Sequence, residues 1–427
     1  MTILRPTLLA AALLVSACGA PDADSSASAT MESPLDSLFP DDAYTISATR
    51  PITDVERKIV AFNVLGVTVS NDFEGGRFNA ATTDGDSVLV LTIRPENSPI
   101  NNSAWYAFKA WAPAPDSITV RLTYEGGRHR YLPKVRTSSE PDWTTLDTAA
   151  VLVGPEARDV ARFRIAVGPD TTWVAGQEML TSSWFADWVD GLTAREGVTQ
   201  RTIGTTPRGR DLNMFEAGEP DADRHVLFIS RQHPPEVTGT FAFVAFMEEM
   251  LGDSPLAQEF RSEFRIHAVP LMNPDGVDLG HWRHSTGGID LNRDWVAFHQ
   301  PETRAVRDDM ARVLADESQE LWFFADFHST NRDVFYTLDR ALETRPAGVL
   351  DPWIEHIRTA MPDYELEDAP SDGGYGVVSR DWAWREHRAP GMVYEVGDDT
   401  PRGLIREVAE TAARGTMQIL LERARGG

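Results

Sequence analysis

Cysteine is almost absent: across 427 residues the only one is Cys18. That excludes an internal disulfide and any metal site built from paired thiolates. Positive charge is scarce as well. Lys and Arg total 40 against 65 Asp and Glu, a net charge of −25, whereas a general nucleic-acid binder needs clustered cations to meet phosphates. The apolar run Leu8 to Val15 is too short for a membrane span. Internal repeats are missing too. What remains is an ordinary folded composition, 42% hydrophobic and 25% charged, in a chain too long for one core, so two domains plus tails are expected.

Residues 1–18 carry Arg5, the short apolar run and then small residues, the pattern of a secretory signal. Val15-Ser16-Ala17-Cys18 resembles the bacterial lipoprotein cleavage site. That resemblance implies that Cys18 becomes the lipidated first residue of an exported protein, in the periplasm or at the outer membrane, held to the membrane by its lipid only. An ordinary signal with an incidental Cys is the alternative. Residues 19–44 are rich in Ser, Ala, Asp and Pro and cannot bury enough apolar surface to offset their ordering, so they read as a flexible tether.

From residue 45 to residue 175, short β-branched and aromatic runs are separated by Gly, Pro and Asn clusters. This predicts a small antiparallel β-sandwich domain of roughly seven strands. His129, in the turn-like Glu125-Gly126-Gly127-Arg128-His129-Arg130, reads as a solvated loop residue. From residue 176 to residue 427, apolar strands alternate with helical stretches. The expected fold class is α/β, a mixed central sheet flanked by helices. Ligands in such folds lie beyond the strand ends.

The residues that carry chemistry lie at those ends. His233-Pro234-Pro235-Glu236 follows the strand His225 to Ser230, and the prolines hold the chain extended before a helix begins. Alone, His-x-x-Glu is weak, because Glu236 could simply be a helix N-terminal charge. Support comes from the strand Leu321 to Phe327, which ends on His328. Asp326 shares its face and can act as an outer partner. Two His and one Glu are the protein ligands of a catalytic zinc with one position open.

Taken in order, His233-Pro-Pro-Glu236, Asn273-Pro-Asp-Gly276, Arg283, Asp290-Leu-Asn-Arg293, Asp326-Phe-His328-Ser329 and Val393-Tyr-Glu395-Val396 resemble the zinc metallocarboxypeptidase family of carboxypeptidase A. The β-rich first part is similar to the domain preceding the catalytic unit in the cytosolic carboxypeptidase branch. The resemblance implies one zinc per chain on His233, Glu236 and His328, with Glu395 as general base and Arg283 facing the oxyanion. It further implies that Asn292 and Arg293 grip the substrate's terminal carboxylate and that Asp290 braces His233. The family's mobile Tyr has no counterpart at the matching distance; Tyr375, in a Gly-rich loop, is a candidate. His281, His284 and His299 match no family ligand and read as solvated or outer residues.

In digestive members the residue before the motif's Asp lies at the base of the specificity pocket; here it is Arg380, before Asp381. A buried cation there would favour a C-terminal Glu or Asp, in keeping with the cytosolic branch, known for removing glutamates. Pairing of Arg380 with Asp381 or Glu386 is the alternative. The expected function is therefore removal of C-terminal residues from peptides and proteins, with no nucleic-acid partner. Two alternatives stand beside it: a zinc amidase acting on cell-wall peptides or N-acyl amino acids, and a non-catalytic surface lipoprotein that binds peptides.

Overall fold

The computed structural model describes residues 51–155, 158–371 and 378–426; the signal-like segment with Cys18, the tether, and Tyr375 lie outside the described residues. Eleven short strands build the first layer. One sheet runs β1 (Ile59–Phe62), β2 (Val67–Ser70), β5 (Ala107–Trp111), β11 (Thr172–Ala175), β7 (Lys134–Thr137), β8 (Thr144–Thr145). The other runs β3 (Ala80–Asp84), β4 (Val88–Ile93), β6 (Asp116–Tyr124), β10 (Val160–Val167), β9 (Leu152–Val153). Alternation decides which side chains go in: along β10, Ala161, Phe163, Ile165 and Val167 are buried while Arg162 and Arg164 are exposed. The two inner faces share one core.

Two expectations change here. The strand count exceeds seven, because short strands such as β8 and β9 give no periodic signal. The layer is also not wholly antiparallel, since β4 and β6 run parallel. His129 is not solvated: it is buried, with Nδ1 2.8 Å from the Tyr124 hydroxyl. Burial, with Arg158 nearby, pushes its pKa down to about 4.

The second layer is a seven-stranded sheet in the order β12 (Val198–Thr205), β13 (Asp211–Gly218), β15 (Arg265–Val269), β14 (Arg224–Ser230), β16 (Glu320–Thr330), β18 (Gly391–Gly397), β17 (Val334–Thr337). The central strands β15, β14, β16 and β18 are parallel. Both their faces are covered, so they read as near-continuous apolar runs. In β14, Val226 and Phe228 enter one core with α2 (Val237–Met250), α6 (Leu350–Ala360) and α8 (Arg402–Gly426). Leu227 and Ile229 enter the opposite core with α5 (Pro301–Val313) and α7 (Ser379–His387). Among the described residues the remaining α-helices are α1 (Ser182–Thr193), α3 (Pro255–Glu263) and α4 (Pro274–Leu279). Among the described residues no helix is long and apolar enough to cross a membrane.

Helix α2 is buried on nearly every side. Gly239 lets it approach β16 at backbone contact: a Cβ there would lie 2.3 Å from the His328 carbonyl oxygen. Ser329 Oγ ties the same turn down, accepting from Gly239 N and Thr238 Oγ1 at 2.8 Å each.

Candidate metal centre and active site

The C-terminal ends of β14, β16 and β18 converge on one point. After β14 the backbone bends at Arg231, which has a positive φ of 62°, a conformation that side chains other than Gly rarely adopt. Its buried guanidinium fixes the bend, Nε donating to Pro234 O at 2.8 Å and Nη1 to Thr240 Oγ1 at 3.1 Å. Burial pushes the Arg231 pKa down to about 9. Nothing in the sequence pattern marks this residue, yet it aims His233 and Glu236 inward.

His233, Glu236 and His328 are buried and form a cluster able to hold a metal ion. Glu236 Oε1 lies 2.8 Å from His233 Nδ1, Oε2 lies 2.7 Å from His328 Nδ1, and the two Nδ1 atoms are 3.1 Å apart. The outer ring nitrogens are already engaged. His233 Nε2 is 2.8 Å from Asp290 Oδ1, and His328 Nε2 is 2.8 Å from Asp326 Oδ2. If each Nε2–H donates to its aspartate, each Nδ1 presents a lone pair towards the other and towards a carboxylate. Lone pairs this close to one another and to a carboxylate are the arrangement that a bound cation stabilises. Tetrahedral zinc with Zn–N of about 2.0–2.1 Å sets N···N near ~3.3 Å, a few tenths beyond the observed spacing. The donor set therefore fits zinc.

Aspartates on the outer nitrogens fix tautomer and ring orientation. Asp326 is itself held, its Oδ2 accepting from Gln232 Nε2 and Ser379 Oγ. Asp290 does two jobs: Oδ1 faces His233, while Oδ2 accepts from Arg283 Nε at 2.6 Å. Arg283 Nη1 stands 3.8 Å from Glu236 Oε1. Burial pushes the Asp290 carboxyl up, but Arg283 and His233 outweigh it and hold it well below the usual carboxylate range.

Glu395, on β18, lies beside the centre. It pairs with His328 across the parallel ladder, so both side chains leave the same face of the sheet. Its Oε2 is shielded from solvent and has no hydrogen-bond partner among the described residues. Burial, with help from Glu236, pushes its pKa up to about 7 against the opposing pull of His328, His233 and Arg283. That is the value of a group poised to accept a proton near neutrality.

The remaining sequence candidates divide. Arg293 is partly exposed; its Nη1 donates to Asn292 O at 2.8 Å, and among the described residues it forms no ion pair. Asn292 is turned inward instead, its Oδ1 accepting from Ser379 N at 3.0 Å and its Nδ2 lying 3.3 Å from His328 Nε2. Arg380 is buried and engaged. Nε and Nη2 donate to Asp381 Oδ1, and Nη1 donates to the carbonyls of Tyr336 and Thr337. His281 and His284 are buried rather than solvated, and only His299 is exposed.

Sequence reasoning missed the contribution of the β-rich layer. Arg130 donates to both oxygens of Asp398, at 2.7 and 3.1 Å, and reaches Ser329 O at 3.4 Å. It thereby clamps the chain just past Glu395 and His328. A basic residue in a Gly-rich turn carries no signal of such reach.

The comparisons with known proteins agree with this geometry. Residues 186–366 match the zinc carboxypeptidase family model. An uncharacterized protein of Zymomonas mobilis is 23% identical over 377 residues, covering 82% of this chain and 94% of the relative. Human cytosolic carboxypeptidase 6 is 25% identical over 280 residues, covering 60% of this chain. The match spans 56% of that relative's length, about half of it. Among solved structures, a metallo-carboxypeptidase from Burkholderia cenocepacia shares the fold with a TM-score of 0.68 at 18% identity, covering 84% of this chain and 99% of that one. Residues 186–366 thus form a region that matches the zinc carboxypeptidase family, the chain is similar in sequence to the cytosolic carboxypeptidases, and its fold is shared with a solved metallo-carboxypeptidase.

Proposed function

We propose that this protein removes single residues from the C-termini of peptides, with Glu395 as the general base. The observation that carries the reading is the placement of Glu395 next to His328, proton affinity raised, with Arg283 close by. Zinc on His233, Glu236 and His328 would supply Lewis acidity towards the scissile carbonyl and lower the pKa of a water. Glu395 takes the proton from the attacking water and returns it to the leaving amine. Arg283, oriented by Asp290, faces the oxygen that becomes negative as the tetrahedral carbon forms, where a fixed cation counts most. Arg293 takes the terminal carboxylate through its guanidinium, and Asn292 holds the Asp290–Arg293 turn against Ser379.

The finer reading is a preference for a C-terminal Glu or Asp, carried by Arg380. Four of its five N–H groups have partners among the described residues. The charge is paired with Asp381, so any preference would be modest. Export as a lipoprotein attached through Cys18 is likewise our reading, supported by the signal-like segment. It would show as acyl-chain mass on the mature N-terminus that Cys18→Ser abolishes.

The test is hydrolysis of short peptides that differ only in their last residue, with and without a zinc chelator, on the protein and on Glu395→Gln. Release of terminal residues that is lost on chelation and in the variant supports the mechanism, and faster release of Glu and Asp supports Arg380. Release of other residues alone sinks the Arg380 argument. Turnover of γ-linked or N-acyl substrates but of no α-peptide would replace the reading with an amidase.

A further inference from the structure

We propose that Glu96, a residue of the β-rich layer, is the positioning residue for Arg283. The inference rests on the oxyanion reading of Arg283 given above. Glu96 sits in the loop after β4 and is only 1% exposed. Its Oε2 accepts from Trp282 N at 2.8 Å, and its Oε1 from Arg283 N at 3.0 Å and His284 N at 2.7 Å. Three consecutive amides on one carboxylate fix the peptide planes on both sides of the Arg283 Cα. A buried N–H left without its acceptor costs about 1–3 kcal/mol, so the segment has one favoured position.

Neighbouring contacts point the same way. Asn97 accepts at Oδ1 from His284 Nδ1 at 2.6 Å and donates from Nδ2 to Gly288 O at 3.2 Å. Arg77 donates to Gly280 O at 3.1 Å. The indole of Trp282 belongs to the sandwich core rather than to a core of the seven-stranded sheet. It lies over Gly127, where a Cβ would come within 2.4 Å of the ring. Burial pushes the Glu96 carboxyl up, but His281, Arg77 and the amides of Trp282 and His284 outweigh it and hold it below its ordinary value. Glu96 is therefore a carboxylate at neutral pH, with acceptors only.

The backbone of Arg283 is thus set by the β-rich layer, and its guanidinium by Asp290 from the connection between β15 and β16. This gives the first layer a role in the reaction. It holds the oxyanion group at the distance where stabilisation is greatest, and a displacement of ~1 Å in such a group costs about 10²-fold in rate.

Glu96→Gln keeps the shape but turns an NH2 against a backbone N–H. The experiment compares wild type, Glu96→Gln, Arg283→Ala and the double variant as folded, zinc-loaded full-length protein, using the panel peptide that turns over fastest. Glu96→Gln is expected to lower kcat at least about tenfold with KM and zinc content unchanged. Affinity for a phosphonate analogue of that peptide should fall by the same factor as kcat/KM. In the Arg283→Ala background Glu96→Gln should have no further effect. An unchanged kcat, or an equal loss with and without Arg283, overturns the proposal. Wild-type turnover in Arg283→Ala would instead remove the oxyanion reading itself. Should Glu96→Gln not fold, Asn97→Ala loosens the same segment and must show the same pattern at smaller amplitude; no loss of kcat there also overturns the proposal.

Discussion

His328 and Glu395 are direct neighbours across the parallel ladder between β16 and β18. A proposed metal ligand and the proposed base are therefore held by the same hydrogen-bonded sheet, and their separation is fixed by strand pairing rather than by loop conformation. The proximity has a consequence for pH. Glu395 must be ionised to accept a proton, and burial pushes its pKa up to about 7. The rate should fall as pH drops through that pKa, and bound zinc, a cation close by, moves the inflection downwards. Expected is an acid limb in kcat/KM at or below about pH 7. Glu395→Gln should cost about 10²–10⁴-fold in rate and abolish the limb while retaining zinc. Pre-steady-state rates against pH check both.

Asp290 and Asp326 brace the two histidines, but only Asp290 also holds Arg283. Replacing either by Asn should weaken zinc binding by about 10–100-fold. At saturating zinc the two should part. Asp326→Asn is expected to recover most of its kcat, whereas Asp290→Asn stays slow because Arg283 has lost its partner. Chelator competition and zinc-saturated kinetics distinguish them.

The cluster of His233, Glu236 and His328, with Glu395 beside it, was legible in the sequence because each lies near a strand end or turn where its chemistry is unusual. His328 follows the apolar run Leu321 to Phe327, although the strand continues to Thr330, and Glu395 lies between Tyr394 and Val396. The α/β alternation was equally plain. What escaped depended on partners distant in the chain. Glu96 is one of 65 acidic residues, and only folding brings it to the amides of residues 282–284. Arg380 reads as an available cation until Asp381 and two carbonyls of the β17 strand are seen around it. His129 looked solvated because its turn is polar, but the ring lies between Tyr106 and Tyr124 in the sandwich. Strand β12, Val-Thr-Gln-Arg-Thr-Ile-Gly-Thr, is a polar edge with little alternation and went unread.

Gly239 is where helix and strand backbones touch. A Cβ would come within 2.3 Å of His328 O and 2.9 Å of His328 N. Gly239→Ala is intrinsically favourable for a helix, so its sign is decided by this contact. The variant should lose about 1–3 kcal/mol of stability or more and bind zinc less tightly, because the displaced residue is a proposed ligand. Thermal unfolding with and without zinc measures both; an unchanged Tm would contradict the close approach.

Arg293 has no ion-pair partner among the described residues, so removing it leaves no buried carboxylate stranded. Arg293→Ala should keep stability and zinc content. It should raise KM for peptides with a free C-terminus and narrow the distinction from their C-terminal amides. A kcat/KM ratio of free to amidated peptide equal to that of the wild type would remove Arg293 from the carboxylate grip.

Glu302 offers a stability test away from the reaction. It is fully buried at the start of α5, neither carboxylate oxygen has a hydrogen-bond partner among the described residues, and burial, with Asp275 and Asp294 nearby, pushes its pKa up to about 7. For an acid whose folded pKa exceeds its unfolded one, the folded state keeps the proton longer, so stability declines as pH rises between the two values. From about pH 4.5 to about pH 7 this group alone should cost up to about 3 kcal/mol, since each pKa unit corresponds to about 1.4 kcal/mol. Glu302→Gln carries no charge at any pH. Its gain over wild type should be small at about pH 4.5 and largest above pH 7, where the wild-type carboxyl is ionised without a partner. Denaturant unfolding of both proteins at the two pH values reads the difference directly. An equal gap at both would mean that Glu302 finds a partner when it ionises.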